Sequence, residues 1–462
     1  MTLNKLFLLF GVVLLLGACS SENNPEIDTE QQNPNNPPVE PEEPQEPALV
    51  TYLTYTPDFY TEDKDHWIII HNQDGELLDY KSFESGDELV FEAKESELSS
   101  TDKLSVSIMT YNLETANNTH TINTYTGIDK GTVWETTNTS GKISPGSDYH
   151  TILNSTHKTS KSLSKKAPVP YNLTVNNIPN IDKYTLTSIE DHIVKENHLL
   201  QHSTVLNLDQ IELSSDIEYL LSIGDGDGGL KYFIINPPEN QDDIVLDYAD
   251  FLDYDSIIEV DLPDNHHFLN ANVWARSSDD FLSEPPLLLS RDASAGPAAE
   301  TAQFGYLNSY PHFDTFFTID MVDGYGYGYN EVGQIPDAIA VMPKPNFEIL
   351  NASLSDFDFS TDITYLRRTS LWALWEAIPT DGNLDQTRWY VHSSSNETGK
   401  IGALPDEIIQ KYPNLNLDDL YHINTSLILK GQSYQDLINL VFKRISILYP
   451  VYEWVDFGNP ID

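Results

Sequence analysis

Apolar residues beyond position 48 alternate with polar ones or run in short blocks, the period of strands rather than of helices. Trp67-Ile68-Ile69-Ile70-His71 and Leu77-Leu78-Asp79-Tyr80 flank Asp74-Gly75, a dipeptide that supplies the positive φ of a tight hairpin. Leu104, Val106 and Ile108 alternate with Lys103, Ser105 and Ser107, as in a strand with one wet face. Asp216 to Leu221 and Lys231 to Ile235 form a further pair around a Gly-rich turn. A weak internal repeat aligns Asp87-Glu88-Leu89-Val90-Phe91-Glu92 with Asp242-Asp243-Ile244-Val245-Leu246-Asp247 and, more loosely, Gln435 to Leu440.

The C-terminal third mixes periods. Pro405 to Tyr412, closed by Pro413, predicts a short helix. Ser433 with Asp436 resembles a capping box, after which Leu437, Val441, Ile445 and Leu448 recur at helical spacing before Pro450, although the same stretch is the third repeat copy if extended. Thr361 to Ile378, with Trp372 and Trp375, fits either state. The expected fold class is mainly β: tandem β-sandwich-like modules with a few short helices in the C-terminal third.

Two composition shifts set the expected boundaries. Residues 149–181 contain four lysines (Lys158, Lys161, Lys165, Lys166) and no acid, and Ser290 to Gln303 contains the small-residue stretch Ala293 to Ala299. These divide the folded part into modules at 49–165, 166–295 and 296–462. Aromatic residues make up 11% of the 462, too many for a disordered chain. Against 25 Lys and Arg stand 72 Asp and Glu, a net charge of −47. Such a field excludes nucleic-acid binding, which needs clustered cations to release counterions from phosphates.

The first residues have another character. Lys5 precedes an apolar run of eleven, Leu6 to Leu16, shorter than the roughly 20 residues that span a bilayer. Leu16-Gly17-Ala18-Cys19 resembles the lipobox of bacterial lipoproteins. The resemblance implies a signal peptide at 1–18, cleavage before Cys19 and lipidation of its sulfur, with Ser20 matching the pattern of outer-membrane lipoproteins. Cys19 is the only cysteine, so once it is acylated no disulfide can form. Residues 20–48 hold eight acids, seven prolines and no Lys or Arg, an extended tether that completes the 19–48 segment.

Candidate chemistry is sparse. Gly224-Asp225-Gly226-Asp227-Gly228-Gly229 fits the G-x-G-x-x-G pattern, but β-like residues follow and two carboxylates would repel a pyrophosphate. A hairpin loop is the expected state, with calcium at Asp225 and Asp227 the alternative. His198 and His202 have the spacing of one helical face, and the adjacent His266 and His267 would point to opposite faces of a strand. The chain has no G-x-S-x-G elbow, no P-loop and no catalytic thiol, so neither a catalytic residue nor a cofactor or resident metal is expected. The one local enrichment is aromatic, nine of the 26 residues 304–329. Within it Tyr325, Tyr327 and Tyr329 alternate with glycine and share one face of a strand, a platform for a ligand such as a glycan. A tyrosine ladder packed inside a sheet is the alternative.

These features lead to a non-catalytic, membrane-anchored lipoprotein at the periplasmic or outer face of the outer membrane that binds an extracellular ligand. An accessory subunit of an envelope protein complex and an extracellular glycan hydrolase are the competing classes.

Overall fold

The computed structural model describes residues 49–460 except 58–63, 99–101, 113–118, 136–165, 226–228, 240–242, 279–285, 296–299, 378–383, 396–399 and positions 416, 444, 446 and 448. The signal segment, Cys19, the tether, Asp227 and Lys158, Lys161 and Lys165 lie outside the described residues. The fold is mainly β, as the alternating pattern predicts. No helix among the described residues is long and apolar enough to cross a membrane.

The first unit contains β1 (Leu49–Thr56), β2 (Lys64–Asn72), β3 (Leu77–Phe83), β4 (Leu89–Lys94), β5 (Lys103–Asn112), β6 (Thr119–Asp129) and β7 (Thr132–Glu135). Its first strand pairs antiparallel with the fourth and parallel with the seventh. The third, second, fifth and sixth line up in that order as the facing layer. The Asp74-Gly75 turn joins β2 to β3 as expected, with Gly75 at φ 83°.

The second unit repeats the wiring strand for strand: β8 (Val169–Asn176), β9 (Ile181–Ser188), β10 (Val194–Ser203), β11 (Leu206–Leu213), β12 (Tyr219–Asp225), β13 (Leu230–Ile235) and β14 (Ile244–Asp247). Here β8 is antiparallel to β11 and parallel to β14, and the other layer runs β10-β9-β12-β13. A short β15 (Leu252–Asp253) extends that layer. The third unit, β16 (Ser256–Asp261), β17 (His266–Arg276), β18 (Leu287–Ala295), β19 (Thr301–Tyr306), β20 (His312–Met321) and β21 (Tyr325–Gly333), has the same β16–β19 pair and the layer β18-β17-β20-β21. In the fourth, β22 (Phe347–Asn351) and β23 (Asp358–Thr361) form a hairpin over the layer made by β24 (Arg367–Ala377), β25 (Leu384–Ser394), β26 (Tyr421–Lys430) and β27 (Val451–Gly458), ordered β25-β24-β26-β27. The stretch from Thr361 that fitted either state is therefore a strand where it crosses this layer.

Three of the four-stranded layers merge edge to edge into one 12-stranded sheet. β21 pairs antiparallel with β27, and β25 pairs parallel with β6. Merging removes sheet edges that would otherwise present unpaired backbone groups. The second unit is joined to the third through the buried ion pair Lys183–Asp292, 2.6 Å.

This wiring corrects three expectations. The boundary at 295 falls inside a ladder, because Ala293 to Ala295 pair with Asn270 to Phe268 and β17 pairs on its other side with β20. Small residues there make a strand end, not a linker. The aligned repeat copies are not equivalent: Leu89 to Glu92 lie in a fourth strand, Ile244 to Asp247 form a seventh, and Gln435 to Leu440 lie in the helix Tyr434–Lys443. Shared apolar spacing made them look alike, whereas the true repeat is carried by strand order. Finally, the polar face of β5 is dry, with Ser105 and Ser107 both buried. Both faces of the sheet are covered here, and Ser107 Oγ meets Thr124 Oγ1 at 2.7 Å.

The covers come largely from the fourth unit. On one face Leu437, Ile438, Val441 and Phe442 of helix Tyr434–Lys443 enter the core of the first unit beside Tyr55, Ile68, Ile70 and Trp134. The expected cap forms: Ser433 Oγ reaches Asp436 Oδ2 at 2.6 Å, and the Ser433 and Asp436 backbone N–H groups are satisfied reciprocally. On the other face Ile401, Leu404, Ile408 and Tyr412, around the expected helix Asp406–Lys411, cover Trp67, Ile69, Met109 and Trp389.

Candidate functional site

Tyr325, Tyr327 and Tyr329 share one face of β21, as period two requires, but that face is the core. The rings are 2%, 3% and 8% exposed. Each hydroxyl is used internally: Tyr325 donates to the Met342 carbonyl (2.8 Å), Tyr327 to Glu453 Oε1 (3.1 Å), and Tyr329 to Glu331. The intervening glycines do not leave an open flat face either, since a Cβ at Gly328 would lie 2.0 Å from the Trp454 ring. The expected ligand platform is therefore corrected to a core ladder, because β20 and β27 flank the strand and β16–β19 lie across it.

Asp225 accepts from the Gly229 N–H (2.6 Å) and from the Tyr248 hydroxyl (3.0 Å), closing the β12–β13 turn. Among the described residues no cluster of three or more metal-ligating side chains occurs. His198 and His202 lie in β10, so their helical spacing has no geometric meaning. His266 is buried and His267 exposed, on opposite faces as expected.

A different place combines space, ring faces and an unsatisfied charge. The hairpin β22–β23 is closed at its base by Asn346, whose N–H and Nδ2 both donate to Asp362 (3.1 and 2.7 Å). Phe347 stacks on Phe457 at 3.9 Å and Phe357 packs edge-on against Trp372 at 5.0 Å, which pins the hairpin to the large sheet. Clefts remain on both sides. One, of about 250 Å³, lies by Phe347, His422, Phe457 and the Asp323–Lys344 pair. The other, of about 180 Å³, is walled by Phe357, Trp372 and Arg368, with Asp356, Asp358 and Lys400 at its exposed rim.

Arg367 and Arg368 are neighbours on β24 and therefore point to opposite faces. Arg367 makes three side-chain hydrogen bonds: its Nη2 donates to Gln432 Oε1 and to the Tyr452 hydroxyl, both at 2.9 Å, and Nη1 to Thr369 at 3.2 Å, while its Nε has no partner among the described residues. Arg368 is equally buried, 3% exposed, and lines the smaller cleft. Its guanidinium lies over the rings of Phe357 (5.3 Å) and Phe359 (5.7 Å), yet its Nε and Nη1 have no hydrogen-bond partner among the described residues. Burial pulls its pKa down to about 10, with the charges of Tyr365, Tyr434 and Asp358 opposing. The ring contacts recover only part of the lost hydration.

His422 links the two clefts. It lines the larger one and stacks on Phe357 of the smaller at 5.0 Å. Burial lowers its pKa to about 4, the backbone at Asn424 acts against this, and the Arg368 charge adds to it. Between about 4 and the ordinary value of 6.5 the unfolded chain therefore binds the extra proton and the folded chain does not. Stability is expected to fall as pH drops through that window. Urea midpoints at pH 7 and pH 5 measure this, and His422→Gln is expected to show a smaller drop than the parent chain. An equal drop would remove His422 from the account.

Sequence reasoning missed Arg368. The only available signal was an adjacent Arg pair beside a tryptophan-bearing strand in a chain poor in cations.

No protein-family model matches the chain, and no curated protein matches it. Among solved structures it is similar to a Ca²⁺-stabilized adhesin that helps an Antarctic bacterium reach out and bind ice, at 8% identity over 90% of this chain and 100% of that one, TM-score 0.12. It is also similar to E. coli alpha-2-macroglobulin in its native conformation, at 9% identity over 89% of this chain and 28% of that one, TM-score 0.13. At such TM-scores neither likeness bears on the fold or the site.

Proposed function

We propose that this chain is a non-catalytic, lipid-anchored surface protein that binds a glycan in the smaller hairpin cleft. Acylated Cys19 fastens it to the outer membrane, and the acidic, proline-rich residues 20–48 hold the β units away from the bilayer. The observation that carries the binding role is the cleft itself: aromatic walls and a buried guanidinium whose Nε and Nη1 have no hydrogen-bond partner among the described residues, where Arg367 on the same strand makes three side-chain hydrogen bonds. Apolar walls with a few convergent polar groups are the usual make-up of a small-ligand site.

The test uses the full chain, solubilised from membranes in detergent, on an array of acidic and neutral glycans. Binding to at least one class is expected. Ser355→Trp, which fills the cleft mouth from an exposed position, is expected to abolish it without changing the melting temperature. A chain that retains no glycan of any class overturns the reading. Labelled palmitate should enter the chain and be absent from Cys19→Ser.

One observation favours the accessory-subunit reading instead. Ile349 and Leu350 of β22 are 38% and 56% exposed, and β22 pairs only with β23 among the described residues. An edge of this kind can take up a strand of another protein. A partner that co-purifies at fixed stoichiometry, together with a blank glycan array, would decide for it.

A further inference from the structure

We infer that the ligand of the smaller cleft carries a carboxylate, as in a glycan with a uronate unit, and that Arg368 is the group that receives it. This rests on the binding role proposed above and adds the chemical class of the ligand.

Arg368 brings a full positive charge into a place where it is 3% exposed, and no carboxylate lies within ion-pair distance of it among the described residues. A guanidinium remains protonated even at the lowered pKa of about 10, so it cannot shed its charge at neutral pH as a lysine or histidine would. Uncompensated buried charge is one of the costliest features a fold can hold, and an apolar residue of similar volume would pack there more favourably. The neighbouring Arg367 differs at its fork, where both Nη groups are bonded, to Gln432, Tyr452 and Thr369.

The surroundings narrow the partner. The guanidinium is a planar fork that matches a planar carboxylate through two parallel hydrogen bonds. Phe357 and Trp372 offer apolar surface to the carbon face of a ring. The exposed carboxylates of Asp356 and Asp358 at the rim accept hydrogen bonds from hydroxyls, and Lys400 adds a second cation there. Acceptors for hydroxyls together with a buried cation fit a sugar acid better than a neutral sugar, which leaves the cation unpaired. The volume of about 180 Å³ accommodates one ring. The net charge of −47 disfavours a long polyanion, so the fit is to a single acidic unit within an otherwise neutral glycan.

The experiment compares a disaccharide carrying one glucuronate with its carboxyl-reduced, neutral counterpart, titrated into the full detergent-solubilised chain at physiological salt. The acidic form is expected to bind at least tenfold more tightly. Arg368→Gln is expected to erase that preference. Arg368→Met is expected to raise the melting temperature of the ligand-free chain by a few degrees while losing binding, because removing an unpaired buried charge relieves the fold. Equal or tighter binding of the neutral disaccharide overturns the inference and leaves the glycan-binding role standing. If the array shows binding to neutral glycans alone, the result is the same. If no glycan binds at all, both fall. An Arg368→Met chain that melts lower and binds unchanged identifies a packing residue and also overturns the inference.

Discussion

Replacing Phe442 with alanine is expected to lower the free energy of unfolding by about 3–5 kcal/mol, the range for deleting a fully buried phenylalanine from a core. Phe442 belongs by sequence to the fourth unit, but its ring lies 3.7 Å from Trp134 with 9° between the planes, and it also packs edge-on against Tyr55 and Tyr125 of the first unit. One truncation therefore opens a cavity where two sequence-distant units meet, and the surrounding strands are too tightly paired to collapse into it. Urea unfolding followed by tryptophan emission measures the effect, since Trp134 loses its stacking partner. The first and fourth units share both this core and the β25–β6 ladder, so they are expected to unfold in one transition. A loss below about 1 kcal/mol, or separate transitions for the two units, would show that the helix does not bind them together.

Tyr327→Ala comes next in expected size, again about 3–5 kcal/mol. Its ring is 3% exposed between Phe317 and the other core residues of the third unit. The milder Tyr327→Phe isolates the hydroxyl, which donates to Glu453 Oε1 at 3.1 Å. Glu453 keeps Lys430 at 2.7 Å, so the expected cost is only about 1–2 kcal/mol. Glycan binding by a folded Tyr327→Phe chain is expected to be unchanged, the opposite of what a surface platform would show. The tyrosine row also has a pH signature. Burial, reinforced by Glu453 or Glu331, holds all three phenols well above their ordinary pKa of 10.0. The folded chain then keeps protons that the unfolded chain releases, so this contribution is intact below about pH 10 and is lost as pH rises beyond it. Alkaline melting curves of the parent and Tyr327→Phe chains should converge as pH increases above 10.

Local signals were read correctly where one segment decides its own state. Asp74-Gly75 made its hairpin, Ser433 with Asp436 made its cap, and Pro405 to Tyr412 made its helix, because turn and cap geometry depend on residues within a few positions of each other. The mainly β class followed from the strand period. What failed were judgements about which face is wet. The serines of β5 and the tyrosines of β21 both alternate as a half-exposed strand does, but their polar or amphipathic sides are covered by residues far away in the chain. Burial depends on what packs from elsewhere, and spacing along one strand cannot report it.

Sequence alone determined the secondary structure type, the strong net negative charge, and the lipobox resemblance at Cys19 followed by the proline-rich residues 20–48. These are properties of short contiguous stretches or of plain composition, and they survive without any tertiary contact. Tertiary structure alone decided that three layers fuse into one sheet, that the 295 boundary runs through a ladder, and that Arg368 rather than the tyrosine row stands beside a cleft. Each of these turns on contacts between segments separated by tens to hundreds of residues, and the lack of a partner for Arg368 Nε and Nη1 among the described residues shows only in the packing around them.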